Sequence, residues 1–218
     1  MNIFYIFIAG VVAYLLGSIP TAVWYGEAFY NTDVRKFGSG NAGATNTFRV
    51  LGKRAGSVVL AIDVLKGWTA TVMASMLYYL DVIYPTEILS FKLVFGLLAI
   101  IGHLFPLFES FRGGKGVATS LGMVLAIHPQ VALMCVGLFL VTIVLFHYSS
   151  LSSMLAALAF PVLLLLGASG KPESTLLIVF GFIMFLIVAV AHKKNIVKLY
   201  RGTENKVFLL GKKDAKKV

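Results

Sequence analysis

Residues 173–191 read Glu-Ser-Thr-Leu-Leu-Ile-Val-Phe-Gly-Phe-Ile-Met-Phe-Leu-Ile-Val-Ala-Val-Ala, and the chain continues at once with His192-Lys-Lys-Asn195. A helix needs about 20 predominantly apolar residues to cross the hydrocarbon core of a bilayer. Lysines directly after such a stretch are typical of a helix that ends at the cytoplasmic surface. This segment therefore predicts a transmembrane helix whose C-terminal end faces the cytoplasm.

The composition of the whole chain also indicates a membrane protein. Of its 218 residues, 59% are hydrophobic and 13% are charged, and the mean hydropathy is +0.90. A soluble domain carries a much larger charged fraction. The other apolar stretches of spanning length lie at about 3–25, 56–80, 88–108, 129–148 and 150–168, with a shorter one at 116–127. No basic segment precedes the first stretch, so residues 3–25 are expected to be a retained span rather than a cleaved signal peptide.

The positive charge is unevenly distributed and sets the expected topology. The chain has 19 Lys and Arg against 9 Asp and Glu, a formal net charge of +10, and the excess is concentrated in 31–55 and 192–218. If both segments face the cytoplasm, the N-terminus lies outside and the number of crossings is odd. Seven spans satisfy this if 116–127 crosses as a short helix, and five would satisfy it if two later segments are re-entrant.

We predict an all-α, polytopic integral membrane helix bundle of about seven transmembrane helices, with its N-terminus outside and its C-terminus in the cytoplasm. Residues 1–218 are expected to form a single domain, and 205–218 a flexible basic tail that touches anionic lipid head groups. On the seven-span path the loops at 31–55, 111–115 and 148–152 share the cytoplasmic side with this tail, which predicts one site. A nucleic-acid partner is not expected, because the basic residues flank apolar spans without a nucleic-acid motif.

Residues 38–49, Gly-Ser-Gly-Asn-Ala-Gly-Ala-Thr-Asn-Thr-Phe-Arg, are out of place in so apolar a chain. Glycines let main-chain N–H groups approach an oxyanion closely, and hydroxyl and guanidinium groups would add further donors. The stretch therefore favours an anion site, although an ordinary flexible turn between two spans would have a similar composition. The candidate residues are Gly38, Ser39, Gly40, Asn41, Gly43, Thr45, Asn46 and Arg49.

A second polar motif, Arg112-Gly-Gly-Lys-Gly116, directly precedes an apolar helix. Gly113, Gly114, Lys115 and Gly116 would supply main-chain N–H groups, the positive end of a helix dipole and an ammonium group, all of which suit phosphate. The motif is not a Walker A loop, because Gly116 stands where Ser or Thr would coordinate magnesium, so an ATPase is not predicted. A glycine-rich hinge with a snorkelling lysine is the alternative.

A third motif, His192-Lys-Lys-Asn-Ile-Val-Lys-Leu-Tyr-Arg-Gly-Thr-Glu204, follows the last span. His192 and Asn195 are three residues apart, so on a continuing helix they share one face and would orient a ligand together. His192 would also suit an interfacial helix end, and Glu204 would suit a structural pair with a basic neighbour. Ser153 would either reach the site or cap a helix.

Inside the spans, three ionisable side chains stand out. Asp63 and Lys66 are three apart in the second span, and unpaired charges at that depth are costly, so we expect a structural ion pair. His103, near the end of the third span, is expected to be a packing or hydrogen-bonded residue rather than a catalyst.

Together, the three motifs resemble those of one family. The stretch from Gly38 to Arg49, Phe111-Arg-Gly-Gly-Lys-Gly116, and Asn195-Ile with Arg201-Gly-Thr-Glu204 are similar to the three cytoplasmic motifs of the bacterial PlsY acyltransferases. The resemblance runs over nearly the whole chain in order and length. It includes Asp63-Val-Leu-Lys-Gly67 and Gly102-His-Leu-Phe-Pro106.

This resemblance implies an enzyme that transfers an acyl chain from acyl phosphate to glycerol 3-phosphate, giving 1-acylglycerol 3-phosphate and inorganic phosphate in the first acylation of phospholipid synthesis. It places the protein in the bacterial cytoplasmic (inner) membrane as a seven-helix protein, with the active site on the cytoplasmic face. The site residues it implies are Ser39 and Arg49 for activity, Gly113, Gly114, Lys115 and Gly116 for glycerol 3-phosphate, and His192, Asn195 and Glu204 in the third motif.

The residues themselves limit the mechanism. No His is followed five residues later by Asp, so the His-Asp dyad of acyl-CoA-type glycerolipid acyltransferases is missing. Cys135 lies in an apolar segment, which disfavours a thioester, and Ser39 lacks an evident partner base. We therefore favour direct attack by the glycerol hydroxyl on acyl phosphate, with a substrate phosphate as base and His192 as the competing base. No metal or other cofactor is expected.

Two other classes of protein would use similar residues. A transporter for an organic phosphate also gathers cationic and glycine-rich groups, but transporter sites usually lie at mid-membrane on broken helices, whereas these motifs are expected at one face. A non-catalytic lipid-binding scaffold would explain the basic tail but not three separate anion-type motifs.

Overall fold

The computed structural model describes residues 2–207. These residues form ten α-helices, joined by loops and three short 3-10 turns, and contain no strand. The helices are α1 (Ile3–Ser18), α2 (Thr21–Tyr30), α3 (Ala44–Val50), α4 (Lys53–Tyr79), α5 (Ile88–Leu104), α6 (Val117–Ile127), α7 (Pro129–Phe146), α8 (Ser149–Leu165), α9 (Thr175–Ala191) and α10 (Lys193–Tyr200). The all-α prediction is confirmed. The basic tail predicted at 205–218 lies, from residue 208 onwards, outside the described residues.

Several helices have the length and composition of membrane spans. Three segments are each long and apolar enough to cross a membrane: Lys53–Tyr79, Pro85–Glu109 and Pro129–Phe146. The number rises to as many as five if each of two bent helix pairs forms one span. The bent pairs are α1 with α2, at 45°, and α9 with α10, at 65°. The shorter apolar helices are α6 and α8. Seven spans and the orientation of the termini stay predictions.

The first predicted span is broken in two. Residues 3–25 were expected to form one helix, but α1 ends at Ser18 and α2 begins at Thr21. Pro20 is the cause, because proline has no N–H for the helix ladder and disfavours a helical conformation in the residue before it. Ile19 accordingly has an extended ψ of 111°.

The chain divides into two compact units, the first ending at Pro129 and the second beginning at Gln130. The expected single domain stays a prediction. In the first unit, α4 packs against α5 and α6, and α1 packs against α5. Glycines allow the closest crossings: a Cβ on Gly17 would meet the backbone of Ala99, and a Cβ on Gly67 would meet the backbone of Thr119. Such small residues let helices approach in lipid, where apolar burial gives little driving force.

In the second unit, α8 packs against α9. Gly181 of α9 lies against Pro161, a proline inside α8. The chain bends by 65° at His192, which ends α9 and begins α10. The polar segments of this unit include the turn before α8, the loop at 167–174 and the stretch from α10 to residue 207.

Candidate functional site

The first polar motif forms a loop between α2 and α3 that Asn46 holds together. The side chain of Asn46 is 1% exposed. Its Oδ1 accepts the N–H of Ser39 at 2.8 Å, while its Nδ2 donates to the carbonyl of Val34 at 2.8 Å and to that of Phe37 at 3.2 Å. Gly38 has a φ of +62°, and a Cβ there would collide with Asn46 Oδ1. Asn46, predicted as a phosphate ligand, is therefore occupied in organising the loop.

The rest of this motif surrounds the start of α3. Gly40, with a φ of +73°, and Ser39 are exposed, as is Thr45 in the first turn of the helix. Gly43 precedes the helix in extended conformation, close to Asn41. Arg49 lies half-buried in the last turn.

Thr47, in α3, has an internal hydrogen bond that the sequence did not reveal. Thr47 is fully buried, and its Oγ1 donates to the carbonyl of Gly43 at 3.2 Å. Its position inside the motif was a signal for a polar role, but the sequence does not show that the hydroxyl turns inward.

The second motif forms a loop that folds back on the end of α5. Gly113 N–H donates to the carbonyl of Leu104 at 3.2 Å, and Gly114 N–H donates to that of His103 at 3.1 Å. The last carbonyls of a helix lack partners within it, so these bonds satisfy α5. A Cβ on Gly113 would meet the His103 carbonyl, and one on Gly114 would meet the His103 ring. These two glycines are thus explained by close packing, and their N–H groups, predicted to bind phosphate, are used within the fold.

The other two residues of this motif lead into α6. Gly116 has a φ of +77° and stands at the N-cap of the helix, where it has no side chain to bond the first N–H groups. Lys115 precedes it and is half-buried. Lys115 therefore lies next to the N-terminus of α6, as the sequence predicted.

The structure brings the first two motifs together. Arg35 Nη1 donates to Glu109 Oε2 at 2.8 Å, and Arg35 also pairs with Asp33 at 3.0 Å. A Cβ on Gly114 would lie 2.8 Å from the carbonyl of Ala42, so the two loops also touch through their backbones. A cavity of about 520 Å³ opens between them. It is lined by Asp33, Arg35, Lys36, Gly40, Glu109, Ser110, Arg112 and Gly113.

The charges of this cavity are partly compensated. The hydrogen bond from Arg35 lowers the pKa of Asp33 from its usual 3.8, and the same bond is the main cause that raises the pKa of Arg35. Lys36 and Arg112 add positive charge to the same opening. From the sequence, the basic segment 31–55, which includes Arg35 and Lys36, indicated topology, and no contact of these residues with Glu109 was expected.

The predicted ion pair inside the second span is confirmed. Lys66 Nζ lies 2.8 Å from Asp63 Oδ1, and the two residues are 5% and 1% exposed. Thr21 Oγ1 donates to the same carboxylate oxygen at 3.1 Å. His103 Nδ1 lies 3.6 Å from it. The ion pair thus belongs to a larger polar cluster that the sequence did not reveal.

In the second unit, the Glu204 carboxylate accepts hydrogen bonds from two side chains, one of which, Asn195, also belongs to the third motif. Its Oε1 accepts from Asn195 Nδ2 at 2.6 Å and from Ser150 Oγ at 2.9 Å. The expected partner of Glu204 was a basic neighbour, whereas these two donors are neutral. Glu204 therefore fixes the orientation of the Asn195 amide.

His192 occupies the bend between α9 and α10. It is 3% exposed, and its Nδ1 lies 2.8 Å from the carbonyl of Val188. A carbonyl only accepts, so Nδ1 carries the proton of the neutral ring and Nε2 is the nitrogen able to take another. Because the helix bends at His192, it does not continue straight to Asn195 as the sequence suggested.

Ser153 has a structural bond within its helix. Its Oγ donates to the carbonyl of Ser149 at 2.7 Å, and the residue is 7% exposed.

Among residues 2–207, no group of three or more His, Cys, Asp or Glu side chains is arranged to hold a metal ion.

Comparison with known proteins gives consistent matches. A family model described as glycerol-3-phosphate acyltransferase matches residues 7–202. The glycerol-3-phosphate acyltransferase of Chlorobium limicola is 40% identical over 220 residues, covering 90% of this chain and 94% of the relative. The enzyme of the same name from Listeria monocytogenes serovar 1/2a is 45% identical over 197 residues, with the same coverage.

Two solved structures also match. A crystal structure of PlsY (YgiH), an integral membrane glycerol 3-phosphate acyltransferase, in its glycerol 3-phosphate form, has a TM-score of 0.80 and 32% identity, and the match covers 94% of this chain and 96% of that one. The lysophosphatidic acid form of PlsY has a TM-score of 0.77 and 31% identity, with the same coverage.

Proposed function

This chain belongs to the PlsY-type family of membrane glycerol-3-phosphate acyltransferases, and we propose that it takes its acyl chain from acyl phosphate. The acceptor is the sn-1 hydroxyl of glycerol 3-phosphate, and the products are 1-acylglycerol 3-phosphate and inorganic phosphate. The observation that carries the proposal is the match over 94% of the chain to a protein solved in a glycerol 3-phosphate form and in a lysophosphatidic acid form. These names correspond to the acceptor and the product.

Acyl phosphate as donor agrees with the charge of the loops. Both substrates then carry phosphate, and one carries a long apolar tail that a membrane protein receives from lipid. In the first unit, Lys115 lies on the second loop, which touches the first loop at Ala42, and Arg49 lies in α3, the helix that follows the first loop. Cationic groups of this kind bind phosphate as charge-assisted donors. The missing His-Asp dyad argues against the mechanism of acyl-CoA-dependent enzymes.

The proposed reaction is a direct acyl transfer. The glycerol hydroxyl oxygen attacks the acyl carbonyl carbon, a new ester C–O bond forms, and the bond between the carbonyl carbon and the phosphate oxygen breaks. Lys115 and Arg49 neutralise the phosphate as it departs, and Ser39 on its ordered loop supplies a further hydrogen bond. The protein thus works mainly by positioning two anions and offsetting their charge.

The hydroxyl proton goes to a substrate phosphate, whose second pKa near 6 suits a general base at neutral pH. His192 is the competing base, because its bond to Val188 leaves Nε2 as the accepting nitrogen. Asn195, held by Glu204, orients a substrate oxygen. The proposed location is the bacterial inner membrane, with these groups on its cytoplasmic face.

The test is an assay with purified protein, acyl phosphate and radiolabelled glycerol 3-phosphate, in parallel with acyl-CoA as donor. We expect labelled 1-acylglycerol 3-phosphate from acyl phosphate alone. Product from acyl-CoA at a comparable rate would refute the choice of donor. Uptake of labelled glycerol 3-phosphate into vesicles, without acylation, would indicate a transporter instead.

A further inference from the structure

A buried polar cluster lies directly beneath the second loop. It consists of Thr21, Asp63, Lys66, His103 and Thr119, which come from α2, α4, α5 and α6 and are all buried. Buried polar and charged groups are costly unless they are paired, so a cluster of five within apolar helices requires an explanation.

The charges of this cluster are satisfied without the histidine. Lys66 Nζ pairs with Asp63 Oδ1 at 2.8 Å and donates to the carbonyl of Ile19 at 2.9 Å. Thr21 Oγ1 supplies a further bond to Asp63. His103 Nδ1, at 3.6 Å from the carboxylate, lies beyond hydrogen-bond distance. The hydrogen bonds of the ion pair are therefore complete without His103, whose ring has closer neighbours in the second loop and α6.

His103 is instead joined to the second loop on two sides. Its carbonyl accepts the N–H of Gly114, and its ring lies so close to Gly114 that a Cβ there would collide with Nε2. On the other side of the ring, Nδ1 lies 3.2 Å from Thr119 Oγ1 in the first turn of α6. The ring thus lies between Gly114, the residue before Lys115, and Thr119 of α6, the helix after Lys115.

We propose that His103, oriented by Thr119, is a positioning residue that fixes the backbone on both sides of Lys115. The proposal rests on the role of Lys115 in the proposed function. The polar cluster then contributes to the position of Lys115 as well as to stability. Gly114 is required because a side chain at this position would collide with the histidine ring. A ligand phosphate then meets an ammonium group whose main chain is held by contacts on both sides.

The decisive variant is Thr119→Val, which keeps the shape of the side chain and removes the hydroxyl partner of His103. We expect the KM for glycerol 3-phosphate to rise about two- to tenfold, the range for loss of one neutral hydrogen bond. The kcat/KM for acyl phosphate should fall as well, because Lys115 is also proposed to neutralise the departing phosphate. Thr119→Ser keeps the hydroxyl and should restore the normal KM.

A matched control separates positioning from a general loss of packing. Thr71→Val removes a hydroxyl that is equally buried and donates to the carbonyl of Gly67 within α4. This change should leave the KM for glycerol 3-phosphate unaltered. An equal rise in KM for Thr71→Val, or no rise for Thr119→Val, would overturn the proposal.

Hydrogen exchange gives a second readout that needs no activity. In the wild type, the N–H groups of Gly113 and Gly114 are bonded to the end of α5 and should exchange slowly. Deuterium uptake by a peptide covering 112–116 should be faster in Thr119→Val and normal in Thr71→Val. Unchanged uptake in Thr119→Val refutes the positioning role. If the wild type transfers no acyl group, the proposed function fails, and exchange alone decides the role of His103.

Discussion

Arg35 and Glu109, which are 74 positions apart, are joined by a hydrogen bond of 2.8 Å between Nη1 and Oε2. The same guanidinium is held by Asp33 through Nε at 3.0 Å. One arginine therefore connects the loop that carries Ser39 with the loop that leads to Lys115. Such a pair on partly exposed side chains contributes little to global stability, about 0–1 kcal/mol, but it restricts how the two loops move.

Acid should loosen this connection. Asp33 has a lowered pKa in the folded protein, chiefly through the bond from Arg35, so its contribution to stability is complete above its usual pKa of 3.8 and is lost as the pH falls through the lowered value. Below about pH 4, the protection of the 33–40 amides, measured relative to the intrinsic exchange rate at each pH, should fall in the wild type. Asp33→Asn should show low protection at every pH, and wild-type protection without acid dependence would contradict this prediction.

Removal of the Lys115 ammonium should weaken phosphate binding without unfolding the protein. A hydrogen bond to a charged group contributes about 1.5–3 kcal/mol, which corresponds to about 10- to 150-fold in kcat/KM. Steady-state kinetics of Lys115→Ala in detergent measure the change, and Lys115→Arg, which keeps the charge, should lose less. Wild-type kinetics in Lys115→Ala would refute phosphate binding by Lys115 and favour the alternative that residues 112–116 are a glycine-rich hinge.

Removal of the Glu204 carboxylate should reduce activity through Asn195. Glu204→Ala leaves the Asn195 amide and the Ser150 hydroxyl without their shared acceptor. We expect a lower kcat in Glu204→Ala and little further loss in the double variant with Asn195→Ala, because residues that act together are not additive. Glu204→Gln retains an acceptor oxygen and serves as the control. Additive effects would show that Glu204 acts independently of Asn195.

Direct transfer predicts that the protein carries no acyl group during the reaction. Ser39 has its N–H bonded to Asn46, and its exposed hydroxyl has no base assigned to it. Intact-protein mass spectrometry after incubation with acyl phosphate alone should show an unmodified chain. A stable adduct on Ser39 that glycerol 3-phosphate discharges would replace this path with a two-step mechanism.

The helices and the location of the polar loops follow from the sequence, because runs of apolar residues and the placement of lysine and arginine depend on local composition. The break at Pro20 is also a local effect, and it was overlooked because the apolar run continues across it. Local composition likewise marks the stretch around Asn46 as polar.

The direction in which each polar group points could not be predicted. Asn46 bonds carbonyls up to 12 positions away, and Ser150 meets Glu204 across 54 positions, so both arrangements depend on tertiary packing. The glycines at 113 and 114 suggested phosphate binding, yet their N–H groups reach the end of α5. A glycine-rich sequence is the same whether it admits a ligand or a neighbouring ring.

The pairing of Asp63 with Lys66 has a consequence for how the chain enters the bilayer. The two residues are one helical turn apart, so α4 carries both charges and the counter-ion of each. The ion pair can form as soon as this helix folds in the translocation machinery, before α5 and α6 have been synthesised. No residue of a later helix is then needed to neutralise either charge, and His103 and Thr119 add to the cluster from α5 and α6.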